Sequence, residues 1–228
     1  MSIPNIAAIT FMNNLSGSVF PVFDFIIIDF GSKGLQASLF RLQAKQELQA
    51  LSHAFTCKMS GEVIDDILVK HFEPFIKEAW ENKPNESTPE MKNKMLMRTL
   101  QNLRKTVRTM KTQTNIDSDI VGPVTLIPFD EDIEVKMSQS DFESLVRKDL
   151  KHWVQLTLET AIDKVPKQFG DLNIQYVRWT GGSSLLPLFQ NIVKEFFTQQ
   201  GTFYPFYQSS IFHLYILFYF CYFSVSLL

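Results

Sequence analysis

Apolar and polar positions change period several times along the chain, and each change marks an element. Phe25–Ile28 is an unbroken apolar run ending on Asp29; a turn with Gly31 and Gly34 follows, and then Leu35, Ala37 and Leu39 alternate with Gln36 and Ser38. That pattern predicts a buried strand, a glycine turn and a second strand. Glu47–Phe55 predicts a third strand with Leu48, Ala50 and Leu51 on its faces, which makes an antiparallel meander. The period then lengthens: Ile64, Ile67, Leu68, Phe72, Phe75 and Ile76 fall three or four apart and predict an amphipathic helix to about Trp80, capped by Ser60. Leu96, Leu100, Leu103, Val107 and Met110 predict a second helix over Met91–Thr112. Val124–Pro128 and Glu131–Met137 predict a strand pair turning at Asp130. A third helix runs from Phe142 to about Lys164, with Ser140 and Glu143 at the spacing of a capping box. Ile174–Thr180 predicts a strand, followed by Gly181-Gly182-Ser183-Ser184 and an apolar helix from Leu186 to about Phe197. Ser2–Phe11 predicts a short helix entered at Pro4, and Glu81–Glu90 a solvated linker.

Candidate chemistry gathers where strands meet glycines. In Asp29-Phe30-Gly31-Ser32-Lys33-Gly34, glycines let backbone N–H groups approach phosphate oxygens, although the same pattern also describes an ordinary hairpin. A strand ending in Gly181-Gly182 and opening a helix is a nucleotide-holding arrangement of α/β sheets. Ser60-Gly61 begins another helix, whose free N–H groups form a further candidate anion site. Two strand-to-glycine corners in one chain make nucleotide binding the leading expectation. The second helix adds Lys92, Lys94, Arg98, Arg104, Lys105, Arg108 and Lys111 with no acid among them, a face suited to a phosphate-bearing ligand. No aromatic residues interleave with these cations to stack bases, so nucleic acid is not expected.

Composition narrows the setting more than the function. With 228 residues, 45% of them hydrophobic, the chain supports a substantial core, and its net charge of −2 selects no partner. Cys57 and Cys221 make neither a disulfide framework nor a metal site, and His53, His71 and His152 have no partner at ligand spacing. No basic region precedes the first apolar residues, so the expected setting is cytoplasmic. Residues 201–228 form an apolar tail whose last part, Ile211–Leu228, carries no charged residue and has the lower limit of membrane-spanning length. Two readings stay open for it: a membrane anchor, which lacks a positive flank to orient it, and non-native sequence, which is favoured because the motif pattern of the rest of the chain breaks off abruptly before it.

In order and motif, these segments resemble the second half of the nucleotide-binding domain of the heat shock protein 70 (DnaK-like) chaperones, over about residues 3–198. Pro4-Asn5-Ile6-Ala7-Ala8-Ile9 is similar to that family's Pro-Thr-Ala-Ala-Ala helix, and residues 29–34 to its Asp-Leu-Gly-Gly-Gly-Thr phosphate loop. Ser60-Gly61-Glu62 through Leu68-Val69-Lys70-His71-Phe72 resembles its Gly-Gly-Glu-Asp-Phe-Asp-x-x-Leu-Val-x-His-Phe. Phe142-Glu143-Ser144-Leu145 resembles its Phe-Glu-Glu-Leu, and residues 181–187 its Gly-Gly-Ser-Thr-Arg-Ile-Pro. The resemblance implies an actin-like ATPase lobe with a mixed α/β sheet over residues 1–200, a smaller helical and hairpin subdomain at about 62–137, ATP or ADP as cofactor, Mg only with the nucleotide, and co-chaperones or the unfolded-protein machinery as partners. The implied nucleotide-binding positions are Asp29, Gly31, Ser32, Lys33, Gly34, Ser60, Gly61, Arg104, Arg108, Gly181, Gly182 and Ser183; no residue is assigned as catalytic or as a metal ligand.

Departures from the family pattern temper that implication. Ser32 and Lys33 stand where the family has glycines, Gly34 where it has threonine, and Gln36 where it has aspartate. The family's adenosine-holding positions fall on Arg104, Val107, Arg108 and Lys111, of which only Arg108 keeps its type, and Leu185 replaces the arginine that covers the adenine. The first phosphate loop and catalytic lysine of the opposite lobe have no counterpart in the sequence. The expectation is therefore an incomplete, divergent chaperone relative that has lost hydrolysis. Its alternatives are a pseudo-ATPase interaction module and a membrane-tethered fragment.

Overall fold

The computed structural model describes residues 22–43, 47–84, 87–113, 119–199 and 206–208. Its centre is β1 (Phe23–Phe30), with all eight residues buried. β2 (Leu35–Leu42) and β3 (Leu48–Thr56) complete the predicted meander. Two helices follow, α1 (Gly61–Glu81) and α2 (Pro89–Thr112), each close to its predicted span. A hairpin of β4 (Ile120–Leu126) and β5 (Glu131–Met137) packs beside α2. After it come α3 (Gln139–Asp163), β6 (Ile174–Thr180), α4 (Pro187–Gln199) and β7 (Phe206–Gln208).

The main sheet has the order β3-β2-β1-β6-β7, antiparallel between β3, β2 and β1 and parallel from β1 through β6 to β7. One face carries Ile26, Ile28, Phe30, Leu35, Ala37 and Leu39 into a core shared with all four helices. The alternate residues Phe23, Phe25, Ile27, Phe40 and Leu42 form a second buried cluster on the other face with Leu48 and Tyr176. This two-sided burial explains why β1 reads as a continuous apolar run rather than an alternation.

One charged pair lies inside this packing. Asp24 in β1 is 1% exposed and accepts from Arg41 in β2 through Nε at 2.7 Å and NH2 at 2.9 Å. Arg41 NH1 also donates to Phe169 O at 2.7 Å, and Asn173 N donates to Asp24 Oδ2 at 2.8 Å. The pair thereby ties the meander to the connection that leads into β6.

Several boundaries differ from the sequence expectation for local reasons. The β4–β5 hairpin begins four residues before Val124 and its first strand stops at Leu126, where the chain turns; Ile127–Pro128 is a cis peptide and Asp130 adopts φ 51°. The cap of α3 is Ser138 rather than Ser140: Ser138 Oγ accepts from Asp141 N at 3.1 Å. The glycines after β6 open a 3-10 turn, Gly182–Leu185, and α4 begins only at Pro187. The expected Ser2–Phe11 helix and the Ile211–Leu228 tail lie outside the described residues. No helix among the described residues is long and apolar enough to cross a membrane.

Candidate functional site

β1 and β6 run in parallel with Asp29 opposite Thr180, so Gly31 and Gly181 leave the sheet side by side. The strand order turns back at β1, with β2 and β3 on one side and β6 and β7 on the other; a crevice at the C-terminal ends of strands at such a point is where open α/β sheets hold ligands. Three backbone corners meet there. Gly31 N donates to Gly34 O at 3.0 Å within the β1–β2 turn, and Ser183 Oγ lies 3.4 Å from Gly31 O. A methyl group on Gly61 at the start of α1 would lie 2.4 Å from Ser183 Oγ and 3.4 Å from Lys111 Nζ. Asp29, Gly31, Gly34, Ser60, Gly61, Gly181 and Ser183 are thus brought to one place, while Ser32 and Lys33 form the exposed tip of the turn.

Gly181 and Gly182 differ sharply in what they permit. Gly181 has φ 91°, and a Cβ there would meet Phe30 O at 2.4 Å and Asp29 Oδ1 at 2.5 Å. Gly182 has nothing within 4 Å of a Cβ and faces open space.

The start of α1 departs from the expected anion site. Gly61 N donates to Gly31 O at 2.9 Å, Glu62 N to Ser32 O at 3.1 Å, Val63 N to Ser60 Oγ at 3.1 Å and Ile64 N to Ser60 O at 3.1 Å. The N–H groups of Gly61, Glu62 and Val63, which a helix leaves unpaired at its start, are therefore taken by the chain itself, and Ile64 N makes the first helical bond. The sequence shows the capping serine but not the two carbonyls of a turn thirty residues earlier.

The basic face of α2 is likewise answered from within. Asp65, 2% exposed on α1, accepts from Lys111 Nζ at 2.6 Å and from Arg108 Nε at 3.0 Å. Lys111 Nζ also donates to Gly61 O at 2.8 Å, and Arg104 pairs with Asp66. Lys33 reaches Glu62 at 2.8 Å. Asp65 is the residue that reasoning from α2 alone missed; its signal was an acid on the inward stripe of α1, one position after Ile64. Lys92, Lys94, Arg98 and Lys105 remain as the outward part of that face.

Asp29 has an environment of its own at the end of β1. Burial raises its carboxyl above the ordinary range, against the lowering effect of the Gln36 Nε2 donor at 2.7 Å. The folded state therefore holds that proton more tightly than the unfolded chain; the contribution favours folding at pH values below the unfolded carboxyl and is lost as pH rises through the raised value. Asp29→Asn, which keeps an oxygen for Gln36, is expected to melt higher than the parent protein at neutral pH. The difference should fade toward about pH 3.5 in a thermal series, where both groups are neutral; a variant less stable at neutral pH would show that the charge is compensated.

The sequence model of the family described as "Hsp70 protein" matches residues 24–203 of this chain. The chain belongs to the Hsp70 family. Its mixed sheet and flanking helices are those of an actin-like ATPase lobe, and it is an Hsp70-like, chaperone-related protein. The match extends past Phe197, where the motif resemblance stops, into the approach to β7. Members of the Hsp70 family bind ATP or ADP with Mg and work with co-chaperones. No individual curated protein matches the chain. Among the described residues no group of three or more His, Cys, Asp or Glu could hold a metal ion.

Proposed function

We propose that this chain is a chaperone-linked Hsp70-type lobe that holds ATP or ADP weakly at the crevice between β1 and β6 and does not hydrolyse it. Mg enters this reading only with the nucleotide. The observation that carries it is the state of the phosphate-facing groups: the N–H donors of α1 are bonded to Gly31 O, Ser32 O and Ser60, and the turn tip bears Ser32 and the Glu62-paired Lys33. A phosphate would have to displace internal hydrogen bonds to gain its own, so little net free energy is left for binding. Phosphoryl transfer also requires charge stabilisation at the reacting oxygens, and here Lys111, beside Gly61, is committed to Asp65 and Gly61 O, and Lys33 to Glu62. Gly182 and Arg108 remain as contacts for residual binding. Only two cysteines occur, which fits a reducing, cytoplasmic setting.

A pseudo-ATPase interaction module, docking co-chaperones or the unfolded-protein machinery, is the second reading. It is favoured by Leu185 in the turn after β6 and Phe55 near the end of β3 beside Gly34, apolar side chains 52% and 59% exposed.

Titration calorimetry of the full chain with Mg-ATP is expected to give a dissociation constant weaker than about 100 μM, corresponding to less than roughly 5.5 kcal/mol. Phosphate release should stay at background. Micromolar affinity, or turnover abolished by Arg108→Ala, would overturn the proposal. Binding of a co-chaperone without any nucleotide response would favour the second reading.

A further inference from the structure

A shallow, largely open depression, or cleft, of about 580 Å³ lies along the outer face of α3, lined by Ser144, Arg147, Lys148, Lys151, His152 and Gln155. Every one of these side chains can donate a hydrogen bond and none is an acid. They form two rows with four-residue spacing, Ser144-Lys148-His152 and Arg147-Lys151-Gln155, which places neighbours in a row about 6 Å apart along the helix. The second row already holds two carboxylates: Glu195 of α4 accepts from Arg147 NH2 at 2.6 Å and from Lys151 Nζ at 3.3 Å, and Glu143 pairs with Arg147 at 3.5 Å. These side chains therefore converge on an acid without rearrangement. Lys148, by contrast, has no carboxylate partner among the described residues. Alternate residues of an extended peptide repeat at about 6.6 Å, close to the spacing of each row, and the length of the rows accommodates about five residues.

We propose that this cleft is a docking site for an acidic, extended segment of a partner protein, whose alternate carboxylates sit on Lys148 and His152 and compete with Glu195 for Arg147 and Lys151. The protein as a whole has a net charge of −2, so the cleft is a local field of opposite sign that orients such a segment as it approaches. Apart from the imidazole of His152, which packs edge-on to Trp153 at 5.0 Å, the lining offers no aromatic ring on which nucleic-acid bases could stack.

The test uses the full chain and a fluorescein-labelled ten-residue peptide of alternating Glu and Ser, read by anisotropy, with a Lys-Ser peptide and an oligothymidylate of equal length as comparators. Saturable binding of the Glu peptide that weakens with salt is expected, and K148E/K151E should reduce it by at least about tenfold, because like charges then face each other. The milder K148Q/K151Q should give an intermediate loss, and K92E/K94E on α2 should leave binding unchanged. The inference is overturned by no saturable binding, by equal loss in the α2 variant, or by tighter binding of oligothymidylate. No ATP or ADP enters the assay, so the outcome for the Glu peptide is independent of the fate of the β1–β6 crevice.

Discussion

Arg41→Ala is expected to lower the stability of the fold by about 3–5 kcal/mol, the cost of leaving a buried carboxylate without its cation. Asp24 is 1% exposed, and without the guanidinium its oxygens keep only the Asn173 N–H at 2.8 Å. The same substitution frees Phe169 O, so the connection into β6 loses its anchor to β2. For a chain of this size the midpoint of thermal unfolding should fall by roughly 6–20 °C. Arg41→Lys keeps the charge but not the two-pronged geometry and should fall between the parent and the alanine variant. The double change Asp24→Asn with Arg41→Met should recover much of the loss, since it removes both charges from the interior. A loss below about 1 kcal/mol in Arg41→Ala would mean that the pair behaves like a solvated surface bridge.

Gly181→Ala and Gly182→Ala should part company although the residues are adjacent. At Gly181 the backbone has φ 91° and ψ 150°, a conformation reserved almost wholly for glycine. An added methyl would also stand 2.4 Å from Phe30 O and 2.5 Å from Asp29 Oδ1, so the ends of β1 and β6 must separate. Strain and overpacking together should cost about 3 kcal/mol or more, measured by urea unfolding. Gly182→Ala meets nothing within 4 Å and should change stability by less than about 0.5 kcal/mol. Equal effects at the two positions would sink this account of the corner.

Elements whose cause is local were legible in the sequence. The period of two in Leu35–Leu39 follows the alternation of faces along one strand and the three-and-four spacing from Ile64 to Ile76 the inward stripe of one helix; both elements appear in the structure within a few residues, although Ser38 is buried too and Phe75 is 50% exposed. Misreadings arose where a distant segment decides. Ser140 and Glu143 have the spacing of a cap, yet Ser138 takes the role because the chain leaves β5 at Met137. Gly181-Gly182 looked like a helix start, but the close pass of Phe30 and Asp29 shapes a 3-10 turn first. Asp24 and Arg41 carry no local signal of pairing; only the register that sets them opposite each other makes them partners. For the site, the glycine corners were legible, whereas their engagement by the start of α1 depends on Gly31 O and Ser32 O reaching Gly61 N and Glu62 N across the fold.

The parallel pairing of β1 with β6 has a consequence for how the protein is made. Asp24 and its partner Ile174 are separated by most of the chain, with the meander, α1, α2, the hairpin and α3 all lying between them. A ribosome adding about 5–20 residues per second takes on the order of 8–30 s to cover that distance. Through that interval the most apolar strand of the molecule is paired on one edge only. Nascent chains therefore pass through a long window in which Phe25–Ile28 presents an open strand edge to other chains, and a relative of the chaperones is itself a candidate client while it is being synthesised.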